Sequence, residues 1–281
     1  MGVPMKNTVG QATLARCIVN GKAWGEMSGK SNIMNTVRYR IVLMDNQIFN
    51  ESCLETLSRM PDNFLGTVIT SPPYNMNLRI RNGKYCSRQI VRELSTKYDN
   101  FSDNLPIEDY LKFHCDVIDE LLRTSNRVFY VIQIVTGSKR AIFQIIGKYA
   151  ESLKDIIIWD KKVGQPAIGE NILNRQTELV LIFEKDYPIS RQFRGAPFKR
   201  GTLSDIWRIG RGRSATENHR ATFPEELVEK ILESFTDPDE LIYDPFLGTG
   251  TTAVVAKKMG RRYIGSEIDA NYFEVANKRL Q

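Results

Sequence analysis

Near its carboxyl end the chain carries a strand, a glycine-rich turn, a helix and a second strand in close succession, and this unit constrains the fold most. Leu241-Ile242-Tyr243 runs directly into Asp244-Pro245-Phe246-Leu247-Gly248-Thr249-Gly250-Thr251-Thr252. A helix is expected from Thr251 to Met259, then a strand Tyr263-Ile264-Gly265 that ends in Ser266-Glu267-Ile268-Asp269, and a last amphipathic helix to Leu280. A strand, then Gly248-x-Gly250-x-x-Ala253, then a helix, with an acid ending the next strand, is a nucleotide-cofactor pattern. The glycines let the backbone approach the ligand, and Glu267 can take two ribose hydroxyls. The same pattern serves a nicotinamide dehydrogenase, whose pyrophosphate sits at the helix N-terminus. Two features separate the readings. Between Ala253 and Gln281 there is room for one strand and one helix, so the other strands of the sheet are expected upstream, in a circularly permuted nucleotide fold. Asp244, just before the turn, would repel a pyrophosphate and favour the ammonium of a methionine moiety.

The second informative stretch is Thr70-Ser71-Pro72-Pro73-Tyr74-Asn75, after the apolar run Leu65-Gly66-Thr67-Val68-Ile69. The run is β-branched and reads as a buried parallel strand. Two successive prolines can neither continue a ladder nor enter a helix interior, so the chain leaves the sheet in a fixed extended turn. That turn offers a hydroxyl (Ser71), a carbonyl (Pro72) and an aromatic face (Tyr74) at the carboxyl end of a strand, where open α/β sheets bind ligands. The trio suits methylation of an exocyclic amine. Two acceptors take the amine's protons and aim its nitrogen at an electrophile, while Tyr74 stacks on a base flipped out of the duplex. The bland alternative is an ordinary Pro-Pro turn with a surface tyrosine.

The rest of the chain supplies strands, helices and charge. With 281 residues, 42% apolar and 26% charged, it has the composition of a globular protein with a full core. No apolar run reaches the length of a membrane span and no signal-peptide centre is present, so no membrane partner is expected. Cys17, Cys53, Cys86 and Cys115 show no C-x-x-C spacing, which argues against zinc and disulfides and for a reduced, cytoplasmic setting. Residues 1–37 are polar and glycine-broken and read as an N-terminal arm ahead of a catalytic domain, 38–281. Strands are expected at Tyr39–Leu43, Leu65–Ile69, Arg127–Ile134, Lys154–Trp159, Glu178–Phe183, Leu241–Tyr243 and Tyr263–Gly265. Helices are expected at Cys53–Arg59, Pro106–Arg123, Ser138–Tyr149 and Phe223–Ser234. Two stretches are basic. The 76–98 loop carries Arg79, Arg81, Lys84 and Arg88, and the 186–217 segment carries Arg191, Arg194, Arg208, Arg211 and Arg213 among Phe193, Phe198, Trp207 and four glycines. Both suit phosphate contacts; a solvated basic loop is the alternative for each. The net charge of +6 permits a polyanionic partner without requiring one.

Together, Ser71-Pro72-Pro73-Tyr74 followed by Phe246-Leu247-Gly248-Thr249-Gly250 resembles the amino-methyltransferases of DNA, in their permuted, β-type order. The resemblance covers roughly residues 39–281. It implies a Rossmann-like class I methyltransferase α/β fold, with a mostly parallel seven-stranded sheet and one antiparallel strand. It also implies S-adenosylmethionine as cofactor and double-stranded DNA as partner. Carried across residue by residue, Ser71, Pro72, Pro73 and Tyr74 become catalytic. Asp244, Phe246, Gly248, Gly250, Thr251 and Thr252 cradle the cofactor, and Glu267 of Glu267-Ile268-Asp269 binds its ribose. Ser52 stands where the family has an Asp that reaches the adenine. His219 opens a segment that lies against the methionine end, with Arg220 where the family has proline. Segment 186–217 falls where this order places target recognition. Serine at the first motif position resembles the cytosine-N4 enzymes more than the adenine-N6 enzymes. The sequence argues against a C5-cytosine mechanism, which needs a Pro-Cys nucleophile, since no cysteine follows a proline. Further alternatives are a methyltransferase acting on RNA, protein or a small molecule, and a non-catalytic DNA-binding relic. Enzymes of this order often form homodimers, and that expectation rests on the family alone.

Overall fold

The computed structural model describes residues 45–75, 78–81, 84–87, 105–165, 170–185, 190–212 and 224–281, with 78–81 and 84–87 described by strand pairing alone. The expected arm 1–37, the expected strand at Tyr39–Leu43, and Arg88, Arg213 and His219 lie outside the described residues.

The strands are β1 (Gln47–Phe49), β2 (Leu65–Thr70), β3 (Leu78–Arg81), β4 (Lys84–Ser87), β5 (Ser125–Ile132), β6 (Leu153–Gln165), β7 (Arg175–Glu184), β8 (Ile206–Arg208), β9 (Leu241–Asp244) and β10 (Arg262–Ser266). The helices are α1 (Cys53–Ser58), α2 (Ile107–Thr124), α3 (Lys139–Lys148), α4 (Glu225–Phe235), α5 (Thr251–Lys258) and α6 (Ala270–Leu280). Eight strands form one sheet in the order β1-β10-β9-β2-β5-β7-β6-β8. β7 runs antiparallel to both its neighbours, and every other adjacent pair is parallel. The two strands from the end of the chain therefore sit between β1 and β2, which is the permuted order expected from the motifs.

Alternation along the central strands divides the core. Val68, Val128 and Tyr130 face one way with α1, α2 and α3, while Ile69, Phe129 and Val131 face the other way with α4, α5 and α6. Helix α4 shows why such segments form and stay. Pro224 precedes it, Glu225 and Glu226 occupy its first turn, and Leu227, Val228, Ile231, Leu232 and Phe235 make one buried stripe. Each of those side chains contributes about 1.5–3 kcal/mol by leaving water. Helix α2 ends where hydroxyls take over its last carbonyls: Thr124 Oγ1 donates to Glu120 O at 2.8 Å and Ser125 Oγ to Leu121 O at 2.7 Å. Ser125 is also the first residue of β5, so helix and strand join without a loop.

Several features were not expected from the sequence. The edge strand paired to β10 is β1, at Gln47–Phe49. The sheet has an eighth strand, β8, inside segment 186–217, where no strand was expected, and its Trp207 is fully buried. Phe193 and Phe198 also turn inward, each meeting the Phe235 ring edge-on with centroids 5.2 Å apart, so these aromatics serve the core. Finally, part of the 76–98 loop is the antiparallel ribbon β3–β4, whose register sets Arg79 opposite Cys86 and Arg81 opposite Lys84.

Candidate active site

Strands β2 and β9 are neighbours, with Val68 beside Tyr243, so Ser71 and the glycine turn leave the sheet side by side at its carboxyl edge. A side-chain bond ties them: Thr70 Oγ1 donates to Asp244 Oδ1 at 2.7 Å. The Phe246 amide donates to the same oxygen at 3.1 Å, and Thr252 Oγ1 donates to Oδ2 at 2.6 Å. Asp244 is 2% exposed, and burial pushes its carboxyl up to about 6 although all three donors favour the charged form. The residue expected to meet a ligand's ammonium thus also clamps the two motifs together.

The glycine turn is built for close approach. Gly250 caps α5 at φ +87°, and a Cβ there would sit 3.0 Å from the Ala276 Cβ, so only glycine fits. Thr251 and Thr252, in the first turn of α5, are buried. The Gly248 amide donates to Glu267 Oε2 at 2.7 Å, and the Asp269 amide to Oε1 at 2.8 Å. Glu267, 8% exposed, has its carboxyl raised to about 7, chiefly by burial, with the two amides opposing. The rim beyond it comes from β1. Asn50 Nδ2 donates to the Glu267 carbonyl at 2.8 Å, and Ser52, which follows, precedes α1 and gives its amide to Glu55 Oε2 at 3.3 Å. Phe246 lies against Phe113, with ring centroids 5.9 Å apart.

The Ser71 turn is held from beneath. Asn75, at φ +54° and fully buried, exchanges two 2.8 Å hydrogen bonds with the Leu105 backbone. The Tyr110 hydroxyl donates to the Pro73 carbonyl at 3.1 Å. His114 packs beside Tyr110 and bonds through Nδ1 to the Tyr130 hydroxyl at 2.7 Å; burial lowers its pKa to about 3, so it is a neutral support. Among the described residues, no group donates to the Pro72 carbonyl. Ser71 Oγ lies 2.9 Å from the Tyr74 hydroxyl, which donates to Glu178 Oε2 at 2.9 Å, and Lys161 Nζ donates to Glu178 Oε1 at 2.8 Å.

Glu178 and Lys161 were not among the residues singled out from the sequence, though a signal for them exists. Ile157 and Trp159 face the core, so strand alternation carries Lys161 to that face, and Val180 and Ile182 do the same for Glu178.

The basic residues divide between the two ends of the sheet. Arg208 ends β8 beside Asp160 of β6, and Arg211 follows; both are exposed at the carboxyl edge, the Ser71 side. Arg208 makes one 3.6 Å contact with Asp160. Arg191 and Arg194 lie at the opposite edge. Arg191 contacts Asp155 near the start of β6, and the Arg194 carbonyl accepts from Arg127 near the start of β5. The structure does not bring these two to the Ser71 turn.

The chain is similar to known DNA methyltransferases. The chain is 28% identical over 275 residues to the type II methyltransferase M.BglII of Bacillus subtilis, spanning 84% of this chain and 69% of that protein. Its fold matches the cytosine-N4-specific PvuII DNA methyltransferase at a TM-score of 0.62, with 17% identity over 84% of this chain and 86% of that one. It also matches M1.HpyAVI, solved in complex with SAM, at a TM-score of 0.54, with 21% identity over 83% and 98% of the two chains. The model of the DNA methylase family, N6 and N4 type, matches residues 65–278, and the chain belongs to that family.

Proposed function

We propose that this protein transfers a methyl group from S-adenosylmethionine to the exocyclic amino nitrogen of a base flipped out of duplex DNA, and that the base is cytosine, modified at N4. One observation carries the reading. The Thr70–Asp244 bond sets the Ser71 turn and the glycine turn on adjacent strand ends, so an amine held by one turn lies beside a ligand held by the other.

The residues present fit the cofactor. Glu267 uses one lone pair on each oxygen for an amide, which leaves acceptors for two ribose hydroxyls. The left-handed turn at Gly248 and Gly250 lets the main chain come close. Asp244, Phe246, Thr251 and Thr252 complete the cradle, with Ser52 at the adenine end. His219 falls outside the described residues. When bound, S-adenosylmethionine supplies an electrophilic methyl group on a sulfonium.

On the substrate side, the Ser71 oxygen and the Pro72 carbonyl accept the two amine protons and fix the nitrogen's orientation. Tyr74 stacks on the flipped base. Serine at this position and the cytosine-N4 specificity of the PvuII enzyme support cytosine. Arg208 and Arg211, exposed at the carboxyl edge, contact phosphate; Arg79, Arg81 and Lys84 of the basic 76–98 loop are proposed for the same role on their charge alone. Four strand spacings separate β2 from β8, about 19 Å, so Arg208 and Arg211 grip the duplex beside the flipped base.

The test is methylation of plasmid DNA with labelled cofactor, then digestion to nucleosides and mass detection. N4-methylcytosine is the expected product. N6-methyladenine would overturn the choice of base, and the absence of label from DNA would overturn the reading as a whole. Ser71→Ala should lower transfer about 100-fold or more while cofactor affinity stays within about twofold. Glu267→Ala should weaken the cofactor instead.

A further inference from the structure

Beside the Ser71 turn, four side chains are joined in one line. Lys161 Nζ and the Tyr74 hydroxyl donate to the two oxygens of Glu178, at 2.8 and 2.9 Å, and Ser71 Oγ is 2.9 Å from the Tyr74 oxygen. The Lys161 and Glu178 side chains are 5% and 12% exposed, so water competes little for these bonds. The direction of each bond follows from counting hydrogens. A carboxylate has only lone pairs and an ammonium only donors, so Lys161 and Tyr74 both give protons to Glu178. Tyr74 has one hydroxyl proton, and that proton goes to Glu178. The contact with Ser71 is therefore made with Ser71 as donor. This takes Ser71's own proton and leaves only lone pairs free on its oxygen.

We propose that Glu178 and Lys161 are positioning residues that act through Tyr74 to keep the Ser71 hydroxyl an acceptor toward the target base; this rests on the acceptor role given to Ser71 above. A serine hydroxyl with no fixed partner rotates among staggered wells and offers either a proton or a lone pair. Pinned by Tyr74, Ser71 meets an amino group with a lone pair. Together with the Pro72 carbonyl it sets two acceptors against whatever occupies that place on the base. An NH2 group satisfies both, whereas a keto oxygen there would face two like dipoles, and buried groups left unpaired in this way discriminate strongly. The buried ion pair thus fixes which way the protons point at the turn.

Glu178→Gln reverses that direction. The amide's one oxygen goes to Lys161, its NH2 meets Tyr74, the Tyr74 proton turns onto Ser71, and the Ser71 proton turns toward the amine. Methyl transfer to plasmid DNA is measured with labelled S-adenosylmethionine, alongside calorimetric cofactor affinity. The turnover of Glu178→Gln is expected to fall about 10–50-fold with cofactor affinity within about twofold of wild type, and Lys161→Met to fall less, about 3–10-fold. In a Ser71→Ala background, Glu178→Gln should add less than about twofold, since no hydroxyl remains to orient. Should Glu178→Gln fail to fold, Tyr74→Phe keeps the ring, deletes the relay oxygen and carries the same two expectations. Losses that multiply independently of Ser71, or a fully active Glu178→Gln or Tyr74→Phe, would overturn the positioning role and leave the methyltransferase reading intact. Wild-type protein that puts no label into DNA would overturn both.

Discussion

Each edge of the main sheet holds a buried ion pair, and the two are wired differently. At the amino edge, Arg127 Nε donates to Glu184 Oε1 at 2.7 Å, and its other nitrogens donate to the carbonyls of Phe235 and Arg194 at 2.9 and 3.2 Å. Its guanidinium also lies over the rings of Phe193 and Phe235, 5.6 Å from each centroid. Every bond of that cluster ends on a backbone or core group, and its effect is to pin the segment after β7 to the sheet. At the carboxyl edge, the Lys161–Glu178 pair passes instead through Tyr74 to Ser71, at the rim of the site. A buried ion pair has no fixed purpose; what its spare hydrogen-bonding capacity touches decides whether it holds a fold or sets up chemistry.

The comparison breaks most visibly through Arg127→Met. Among the described residues, Glu184 then keeps only Lys154 Nζ, 3.4 Å from its Oε2, and the carbonyls of Phe235 and Arg194 lose their donor, a loss of about 3 kcal/mol in urea unfolding, while turnover per folded molecule stays near wild type. A stable but inactive Arg127→Met would abolish the distinction between the edges. Next in size is a pH effect at the carboxyl edge. Glu267 is raised to about 7 in the folded state, so its contribution is fully present below the ordinary glutamate value and is lost as pH rises through 7. Without cofactor, the stability difference between wild type and Glu267→Ala should shift against wild type by about 2–3 kcal/mol between pH 4 and pH 8. A pH-independent difference would mean the carboxylate is not desolvated. Gly250→Ala forces a Cβ into a left-handed turn against Ala276 and should cost about 1–2 kcal/mol in thermal unfolding. The smallest effect compares the two sets of arginines. Arg208→Gln and Arg211→Gln should each reduce the salt slope of DNA binding by about one, while Arg191→Gln with Arg194→Gln leaves it unchanged. Equal slopes for the two pairs would place DNA across both edges.

Motifs that depend on local backbone were legible in the sequence. The strand before Pro72 and the glycine turn came from neighbouring residues with strong conformational demands, and their permuted order from where they stand along the chain. What escaped depended on distant partners. β1 and β8 have three residues each, too few to show a period, and they exist because β10 and β6 offer open edges. Phe193, Phe198 and Trp207 sit among arginines and glycines, a composition that suits a nucleic-acid surface equally well, yet Phe235 and the α4 face draw them inward. Glu178 and Lys161 are ordinary charges until β6 and β7 pair, and only then do they meet Tyr74. Asp244 drew notice through its place before the glycine turn, but its bond to Thr70 spans 174 positions and could not be read from spacing.

That bond has an evolutionary corollary. Because lateral contact between β2 and β9 unites the two halves of the site, rather than the covalent chain, the genetic order of the halves is free to change. A gene rearranged to encode the carboxyl-terminal strands first would rebuild the same junction, provided new connections let β9 settle between β10 and β2.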